Sequence, residues 1–276
     1  MDISVIMSVY KSEKAEYLDR ALASIWTDQT LKPKEIILII DGKIGEELQN
    51  VVNEWKNILE KTLVVYQNPN NIGLTKSLNI AIGLSKGELI ARMDSDDIST
   101  PDRFNKQVAY LNGNRSVSIV GGSIQEFNST NPCLKIRHYP QNMKTIRNYI
   151  CKASPLAHPS VMMRREIFDV VKYDERFRMS QDIALWYDAI CAGFNIANID
   201  DVVLFFRRED NVYKRRGKKK AINEFRIYMN GIRRFYGLFT WRYIYAILRL
   251  IFRLMPTWII KKCYDSKVRQ NLLTAK

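Results

Sequence analysis

The sequence predicts an α/β fold in which a mostly parallel sheet is flanked by helices. The first 125 residues alternate short runs rich in isoleucine and valine with stretches of helical periodicity, a pattern typical of βαβ units. A chain of 276 residues that is 46% hydrophobic is also sufficient for one or two packed domains, which excludes disordered chains and small disulfide scaffolds.

The predicted elements follow one another along the chain in a regular order. The opening run ISVIMSVY is the first strand, and a helix is expected from about Ala15 to Trp26. The run EIILII is too short for a buried helix and ends at Asp41, so it is the second strand. The pattern then predicts a helix over 46–60, a strand at TLVVY, a helix over 75–84, strands at GELIARM and VSIVGG, helices near 164–171 and 182–192, and a last strand at NIANIDDVVLFF.

Charge divides the chain. Residues 1–206 hold 24 basic and 25 acidic side chains, whereas residues 207–276 hold 19 basic and 4 acidic ones. The whole chain carries a formal charge of +14. A nearly neutral body is thus followed by a basic tail. Because the alternation of strands and helices fades after residue 125, we expect the body to have two halves, 1–125 and 126–206.

Three carboxylates lie within four residues, at Asp94, Asp96 and Asp97, directly after the predicted strand GELIARM. Such a concentration of like charge is costly without a cation, and oxygen ligands select Mg²⁺ or Mn²⁺. A solvated acidic turn is the alternative. The cluster and Asp41 both follow strands, and ligands of open α/β sheets bind at the carboxyl ends of strands, which favours a metal site.

Several longer motifs resemble one enzyme family. The glycine-rich dinucleotide motif does not follow the first strand, and the P-loop motif does not occur. Instead, the chain resembles the family 2 glycosyltransferases of GT-A fold, of the bacterial O-antigen or capsule type, over about residues 3–190. The motifs that carry the resemblance are SVIMSVYK, EIILIIDG, NNIGLTKSLNIAIGLSKGELIARMDSDDISTPDRFNKQ, HPSVMMRRE and SQDIALW. The resemblance implies a Rossmann-like GT-A sheet.

The resemblance also implies a donor site in residues 1–125. In this family the ends of the first two strands and the D-x-D motif contact the nucleotide sugar. The corresponding nucleotide-binding residues are Ser8, Tyr10, Asp41, Lys76, Arg92 and Asp94. Asp96 first, and Asp94 second, would hold Mn²⁺ or Mg²⁺, with the role of Asp97 left open. A solvated surface charge is the alternative for Lys76 and Arg92.

Catalysis and acceptor binding are implied for residues 126–206. The family has a Glu-Asp pair ahead of Leu-Trp, and this chain has Gln181 and Asp182 there. Asp182 is therefore the implied general base of an inverting displacement, with a helix N-cap as the alternative. His158, Arg207 and Arg208 are implied contacts of the acceptor or the diphosphate, and a structural histidine is the alternative for the first.

The tail, residues 207–276, predicts a basic amphipathic helical extension. Between residues 238 and 260 the charged residues Arg242, Arg249 and Arg253 share one helical face, and the remainder is nearly all apolar. Such a helix is expected to lie in a membrane interface with its arginines toward lipid phosphates. Basic residues at 214–220 and 261–262 would add attraction to anionic lipid. Packing of the tail on the catalytic body is the alternative.

The resemblance and the basic tail together imply a metal-dependent hexosyltransferase. The expected donor is UDP-galactose or UDP-glucose, and the expected acceptor is a hydroxyl of a lipid-diphosphate-linked saccharide in O-antigen or capsule biosynthesis. With no signal peptide and no uncharged span, we expect a peripheral protein on the cytoplasmic face of the bacterial inner membrane. One alternative is a sugar nucleotidyltransferase, but that class needs a glycine-rich loop near the N-terminus, and residues 8–12 contain no glycine. The other is a non-catalytic basic-tailed module that binds nucleic acid or membrane. No nucleic acid is expected as a partner.

Overall fold

The described elements lie within residues 1–208 and 218–255 of this computed structural model. The strands are β1 (Ile3–Val9), β2 (Glu35–Ile40), β3 (Leu63–Gln67), β4 (Leu89–Arg92), β5 (Ile98–Ser99), β6 (Val117–Phe127), β7 (Lys135–Arg137), β8 (Met162–Arg164) and β9 (Asn195–Arg207). The α-helices are α1 (Ala15–Ile25), α2 (Glu46–Leu59), α3 (Leu74–Leu84), α4 (Arg103–Gly113), α5 (Met143–Tyr149), α6 (Gln181–Cys191), α7 (Lys218–Tyr236) and α8 (Tyr243–Leu254).

All these strands form one sheet, in the order β3-β2-β1-β4-β8-β6-β9-β5, with β7 added beside β6. The first four strands pair in parallel, as the alternation of strands and helices predicts. The rest of the sheet is mixed, since β9 runs parallel to β6 while β5, β7 and β8 pair antiparallel. The carboxyl ends of β1, β2 and β4 therefore meet at one edge.

Helices cover both faces of the parallel strands, which explains why β1 and β2 are mostly apolar and almost entirely buried. Every residue of β2 is buried. Along β1 the side chains alternate between two hydrophobic clusters. Val5 and Met7 pack in the cluster that contains α1 and α2, and Ile6 packs in the cluster that contains α3 and α6.

The predicted helix over 164–171 is wrong. The segment begins in β8, which pairs with β4 and β6, and continues as a short 3-10 helix, Arg165–Asp169. The backbone N–H of Arg165 donates to the carbonyl of Glu88 at 2.9 Å, which ties this segment to the sheet. Strand pairing keeps Arg164 out of a helix, and the helical pattern after it gives only five residues of 3-10 helix.

The helices of the tail pack onto the body through α6. The rings of Tyr187 in α6 and Tyr228 in α7 meet edge to face, with centroids 6.2 Å apart. Gly231 of α7 allows this approach, because a Cβ there would overlap the Tyr187 ring. Helix α8 packs in turn on α7. Among the described residues, no helix combines the length and hydrophobicity needed to cross a bilayer.

The arginines of α8 face the protein, so their predicted orientation toward lipid phosphates is wrong. Glu224 of α7 is 3% exposed, and its Oε1 accepts from Arg249 Nη1 at 3.0 Å and from Arg253 Nη2 at 3.2 Å. Arg242 donates to Asn148 Oδ1 at 3.3 Å. A buried carboxylate draws the arginines inward, and the apolar face of α8 is left outside.

We expect the Arg249→Met/Arg253→Met variant to lose about 3 kcal/mol of unfolding free energy, because Glu224 would stay buried without a guanidinium. Urea unfolding measures this loss. Adding Glu224→Met should restore most of it, and Arg226→Met on the exposed face of α7 is the matched control. A double variant as stable as the control would show that these ion pairs do not hold α8 in place.

Some predicted features of the tail lie outside the described residues. They are the basic residues at 214–216, the pair at 261–262 and the mostly apolar residues at 256–260.

Candidate functional site

The three carboxylates that follow β4 form one cluster. The ligand oxygens of Asp94, Asp96 and Asp97 lie within 4.8 Å of one another. Asp97 is buried, and its Oδ2 has no hydrogen-bond partner in the part of the chain that the structure describes. Several carboxylate oxygens with one buried oxygen unsatisfied are a donor set that fits Mg²⁺ or Mn²⁺.

Burial and mutual repulsion raise the pKa values of two carboxyls in this cluster. Burial raises the pKa of Asp96 to about 7, and the charges of Asp94 and Glu13 add to the rise. Burial also raises the pKa of Asp97 well above its ordinary value. Glu13 belongs to the site through a hydrogen bond, since its Oε2 accepts from Ser95 Oγ at 2.7 Å. A divalent cation is the natural counter-charge for this arrangement.

Arg92 orients one of the carboxylates. Its side chain is 2% exposed, which excludes the solvated surface charge. Nη1 donates to Asp94 Oδ2 at 2.7 Å, and Nη2 donates to Oδ1. This bidentate pair fixes the carboxylate plane of Asp94.

Behind Arg92, a buried polar pair supports the end of β4. Nη2 of Arg103 donates to the carbonyl of Arg92 at 2.8 Å, and Nε donates to Gln107 Oε1 at 3.1 Å. Gln107 donates to the carbonyl of Ser160 at 2.7 Å. Burial, together with the charge of Arg92, lowers the pKa of Arg103 to about 9. The pair connects α4 to the turn that carries His158.

Arg207, at the end of β9, closes over the carboxylates. Its backbone N–H donates to Asp97 Oδ1 and its Nε donates to the carbonyl of Asp96, both at 2.8 Å. The guanidinium lies 3.8 Å from the ring centroid of Tyr17 and 4.6 Å from that of Phe127. Stacking between two rings holds this side chain beside the cluster.

Arg208 has a different partner. Its Nη1 donates to Glu126 Oε2 at 2.7 Å, and Glu126 also accepts from Arg137 at 3.1 Å. The carboxylate of Glu126 is nearly buried, so it holds both arginines on the β6–β7 side of the sheet.

Asp41 shapes the loop that precedes α3. Its Oδ1 accepts from Asn68 Nδ2 at 3.0 Å and from the N–H of Ile72 at 2.9 Å, and Oδ2 accepts from the N–H of Gly73 at 2.9 Å. The carboxylate thus closes the loop between β3 and α3 over the end of β2. Gly42 has a φ of +89°, and a Cβ there would collide with the backbone of Asn71.

The other predicted nucleotide-binding residues lie near the same edge or on α3. Ser8 is half-buried in β1 beside Ile39, and Tyr10 follows the strand with 46% of its surface exposed. Lys76 is exposed in the first turn of α3, with its Nζ 4.0 Å from a carboxylate oxygen of Glu175. The sheet thus brings Ser8, Tyr10, Asp41 and the carboxylates to adjacent strand ends.

Asp182 lies in the first turn of α6 and is not its N-cap. The N-cap is Ser180, which has a left-handed backbone with φ at +61°. Burial raises the pKa of Asp182, while the charge of Arg92 acts in the opposite direction. Burial raises the pKa of the Tyr173 hydroxyl, and the charges of Asp182 and Asp94 add to that rise. The first turn of α6 and the end of β4 therefore share one electrostatic environment.

Two neutral side chains line the region around Asp182. His158 Nε2 is 2.7 Å from the hydroxyl of Tyr173, and its ring contacts that of Trp186 edge to face. Burial, with the charge of Arg92, lowers the pKa of His158 well below its ordinary value, so the ring is neutral at pH 7. Gln181 is 5% exposed, and its Oε1 has no partner among the described residues.

Comparison with known proteins identifies the family. The sequence model of Glycosyl transferase family 2 matches residues 4–171. The chain belongs to this family. The resemblance noted in the sequence is thereby confirmed, and the protein is a glycosyltransferase.

Two relatives of this family 2 glycosyltransferase match it along nearly their full length. The amylovoran biosynthesis glycosyltransferase AmsE of Erwinia amylovora is 31% identical over 264 residues, covering 95% of this chain and 97% of AmsE. The UDP-Gal:alpha-D-GlcNAc-diphosphoundecaprenol beta-1,3-galactosyltransferase of Escherichia coli is 33% identical over 276 residues, covering 98% of this chain and 97% of that enzyme.

The predicted GT-A fold is also confirmed. The structure of S. aureus TarS 1-349 in complex with UDP-GlcNAc superposes with a TM-score of 0.62, covering 92% of this glycosyltransferase and 82% of TarS. Its sequence identity is 17%, so this likeness concerns the fold.

Several side chains that support the site were not predicted from the sequence. Arg103 and Gln107 reach it from α4, and Glu13, Tyr17 and Tyr173 reach it from other parts of the chain. A signal existed for Arg103 and Gln107, which lie inside the long central motif. Isolated polar or aromatic residues such as Glu13 and Tyr17 carry no periodicity that would mark them.

Proposed function

We propose that this glycosyltransferase moves a hexose from UDP-galactose or UDP-glucose to a hydroxyl of a lipid-diphosphate-linked saccharide, with inversion, in O-antigen or capsule biosynthesis. The observation that carries the proposal is the carboxylate cluster at the end of β4, in which a buried oxygen of Asp97 has no hydrogen-bond partner among the described residues. The relatives named for amylovoran biosynthesis and for galactosyl transfer to a diphosphoundecaprenol acceptor support it.

On the donor side, Asp96 and Asp94 would hold Mn²⁺ or Mg²⁺. Such an ion supplies neutralisation of the negative charge that develops on the departing diphosphate. Asp41 keeps the loop before α3 closed beside the nucleotide, and Ser8 and Tyr10 lie at the strand end that faces it. Lys76 is exposed on α3, from which its charge would attract the donor phosphates.

On the acceptor side, Asp182 takes the proton of the attacking hydroxyl. As that proton moves to the carboxylate, the acceptor oxygen bonds to the anomeric carbon and the bond to the diphosphate oxygen breaks. Because burial raises the pKa of Asp182, its carboxylate is a stronger base than an exposed one. His158 and Gln181 would form hydrogen bonds with the acceptor. Arg207 and Arg208 would lie beside the diphosphate.

The proposed division of labour follows the chain. Residues 1–125 bind the donor, residues 126–206 bind the acceptor, and residues 207–276 attach the enzyme to an anionic membrane. We accordingly expect the enzyme on the cytoplasmic face of the inner membrane, where a nucleotide-sugar donor and a lipid-linked acceptor would meet.

Calorimetric titration with UDP, GDP, CDP and ADP, with and without Mn²⁺, tests the donor class. We expect metal-dependent binding of UDP and weaker binding of the others. Transfer from UDP-galactose and UDP-glucose to a polyprenyl-diphosphate-linked sugar then tests the acceptor. If the folded protein bound none of the nucleotides, the carboxylate cluster would be structural, and the non-catalytic module would be the better explanation.

A further inference from the structure

The turn before α8 and the outer side of α8 carry a series of exposed apolar side chains, the α8 ridge. Its members are Leu238, Phe239, Trp241, Ile244, Ile247, Leu248, Ile251 and Leu254, each at least 45% exposed. From Ile244 to Leu254 they recur at intervals of three, one, three and three residues, which places them on one side of the helix. Phe239 is fully exposed at the leading turn, and Trp241 is 66% exposed.

The ridge differs from ordinary exposed apolar residues. Other large apolar side chains on the surface, such as Ile58 and Val170, belong to separate parts of the chain, whereas the ridge places eight within residues 238–254. Contiguous apolar patches of this kind in soluble proteins usually mark a docking surface.

Ion pairs fix the direction in which the ridge points. Arg249 and Arg253 are held by the buried carboxylate of Glu224, and Arg242 by Asn148. Rotating α8 to bury its apolar side would expose Glu224 and break these pairs. The outward orientation is therefore built into the contacts between α7 and α8.

Charge complementarity favours an anionic partner. Exposed basic side chains lie on elements that adjoin α8. Arg233 is in the last turn of α7, and Lys152 contacts the ring of Tyr245 in α8. Arg147 of α5 stacks on Phe235 at 5.3 Å. Two copies meeting through this face would bring like charges together, which disfavours a dimer.

We propose that the α8 ridge inserts into the interface of an anionic lipid bilayer, with Phe239 and Trp241 at its leading end and the arginines of α8 directed back into the protein. A 12-residue helix is about 18 Å long, too short to span about 30 Å of hydrocarbon, so it lies in the interface. The proposal rests on the proposed function, because a lipid-linked acceptor gives such docking its purpose. In this arrangement the apolar side chains of α8 contact the lipid, and its arginines hold the helix on the protein.

Vesicle sedimentation of the full-length protein tests the ridge. The probes are vesicles of phosphatidylcholine with phosphatidylglycerol and vesicles of phosphatidylcholine alone. Phe239→Asp/Ile247→Asp should lower the partition coefficient for the anionic vesicles at least about tenfold, because charges would enter the apolar interface. Ile58→Asp/Val170→Asp, at exposed sites outside the ridge, is the matched control and should bind as the parent does. Equal binding of the ridge variant and the control would overturn the proposal.

A second readout locates the contact. Fluorescence of the parent should be quenched by brominated lipid, and Trp241→Phe should remove most of that quenching. Quenching unchanged by Trp241→Phe would contradict insertion at this point. A parent that is dimeric and fails to bind vesicles, together with a monomeric ridge variant, would assign the ridge to a second copy.

Metal-dependent UDP binding separates this proposal from the proposed function. The ridge variant should bind UDP as the parent does, because the ridge contacts none of the carboxylates. Loss of vesicle binding with UDP binding intact supports the ridge. Absence of UDP binding in both proteins, with the lipid results as expected, would refute the donor site and leave the ridge standing.

Discussion

Asp182→Asn is expected to lower kcat about 10³-fold while leaving metal-dependent UDP binding unchanged. The amide keeps the shape of the side chain but cannot take the proton of the acceptor hydroxyl, and a general base contributes roughly 10²- to 10⁴-fold. Steady-state transfer from the UDP-hexose to a polyprenyl-diphosphate-linked acceptor measures kcat. Calorimetry with UDP and Mn²⁺ measures donor binding in the same preparation.

Asp188→Asn is the matched control for this variant. Asp188 lies further along α6 and pairs with Arg234, so its loss should affect the helix surface and not the rate. A retained kcat in Asp182→Asn would remove the base assignment, as would a product with retained anomeric configuration. In the parent, the acid side of the kcat profile should lie above the ordinary carboxyl range, because burial raises the pKa of Asp182 and its protonated form is inactive.

Asp96→Asn is expected to abolish metal-dependent UDP binding and to lower kcat/KM about 10³-fold or more. It removes a charged ligand, and the charge stabilisation supplied by a catalytic metal amounts to several kcal/mol. Calorimetry with and without Mn²⁺ measures the first effect, and initial rates at low donor concentration measure the second. Asp102→Asn, at an exposed carboxylate paired with Lys106, is the matched control.

The metal affinity of the parent should also depend on pH. Since burial raises the pKa of Asp96 to about 7, the metal must displace a proton from it near neutrality. Affinity should therefore fall as the pH is lowered through 7. Equal UDP binding by Asp96→Asn and the parent, with no dependence on Mn²⁺, would make the cluster structural.

Asp182→Asn and Asp96→Asn test separate roles of α6 and of the end of β4. Loss of rate with UDP binding intact is expected at α6, and loss of both is expected at the end of β4. If both variants lost UDP binding, the shared environment around Arg92 would be supporting the fold of the site, and Asp182 would have no separate role in proton transfer.

Local pattern was sufficient for the parallel half of the fold. The runs that became β1 and β2 are too short and too apolar to be anything but buried strands, and the helices after them have clear periodicity. The same reasoning placed the carboxylates at a strand end. The expected helix at 164–171 is wrong, because Arg164 ends β8, which pairs with strands distant in the sequence, and Arg165–Asp169 form only a short 3-10 helix.

The sequence by itself determined the α/β order, the family and the identity of the carboxylates, because these depend on residue types at short spacing. Only the tertiary structure decided where the long polar side chains point. Arg92 pairs with Asp94, Arg207 stacks between Tyr17 and Phe127, and the arginines of α8 bind Glu224. A helical pattern shows that arginines share a face, but it does not say whether that face meets water, lipid or a buried carboxylate. The deciding partner is the buried carboxylate of Glu224 in α7, and its charge draws the arginines inward although the helical pattern predicts that they are exposed.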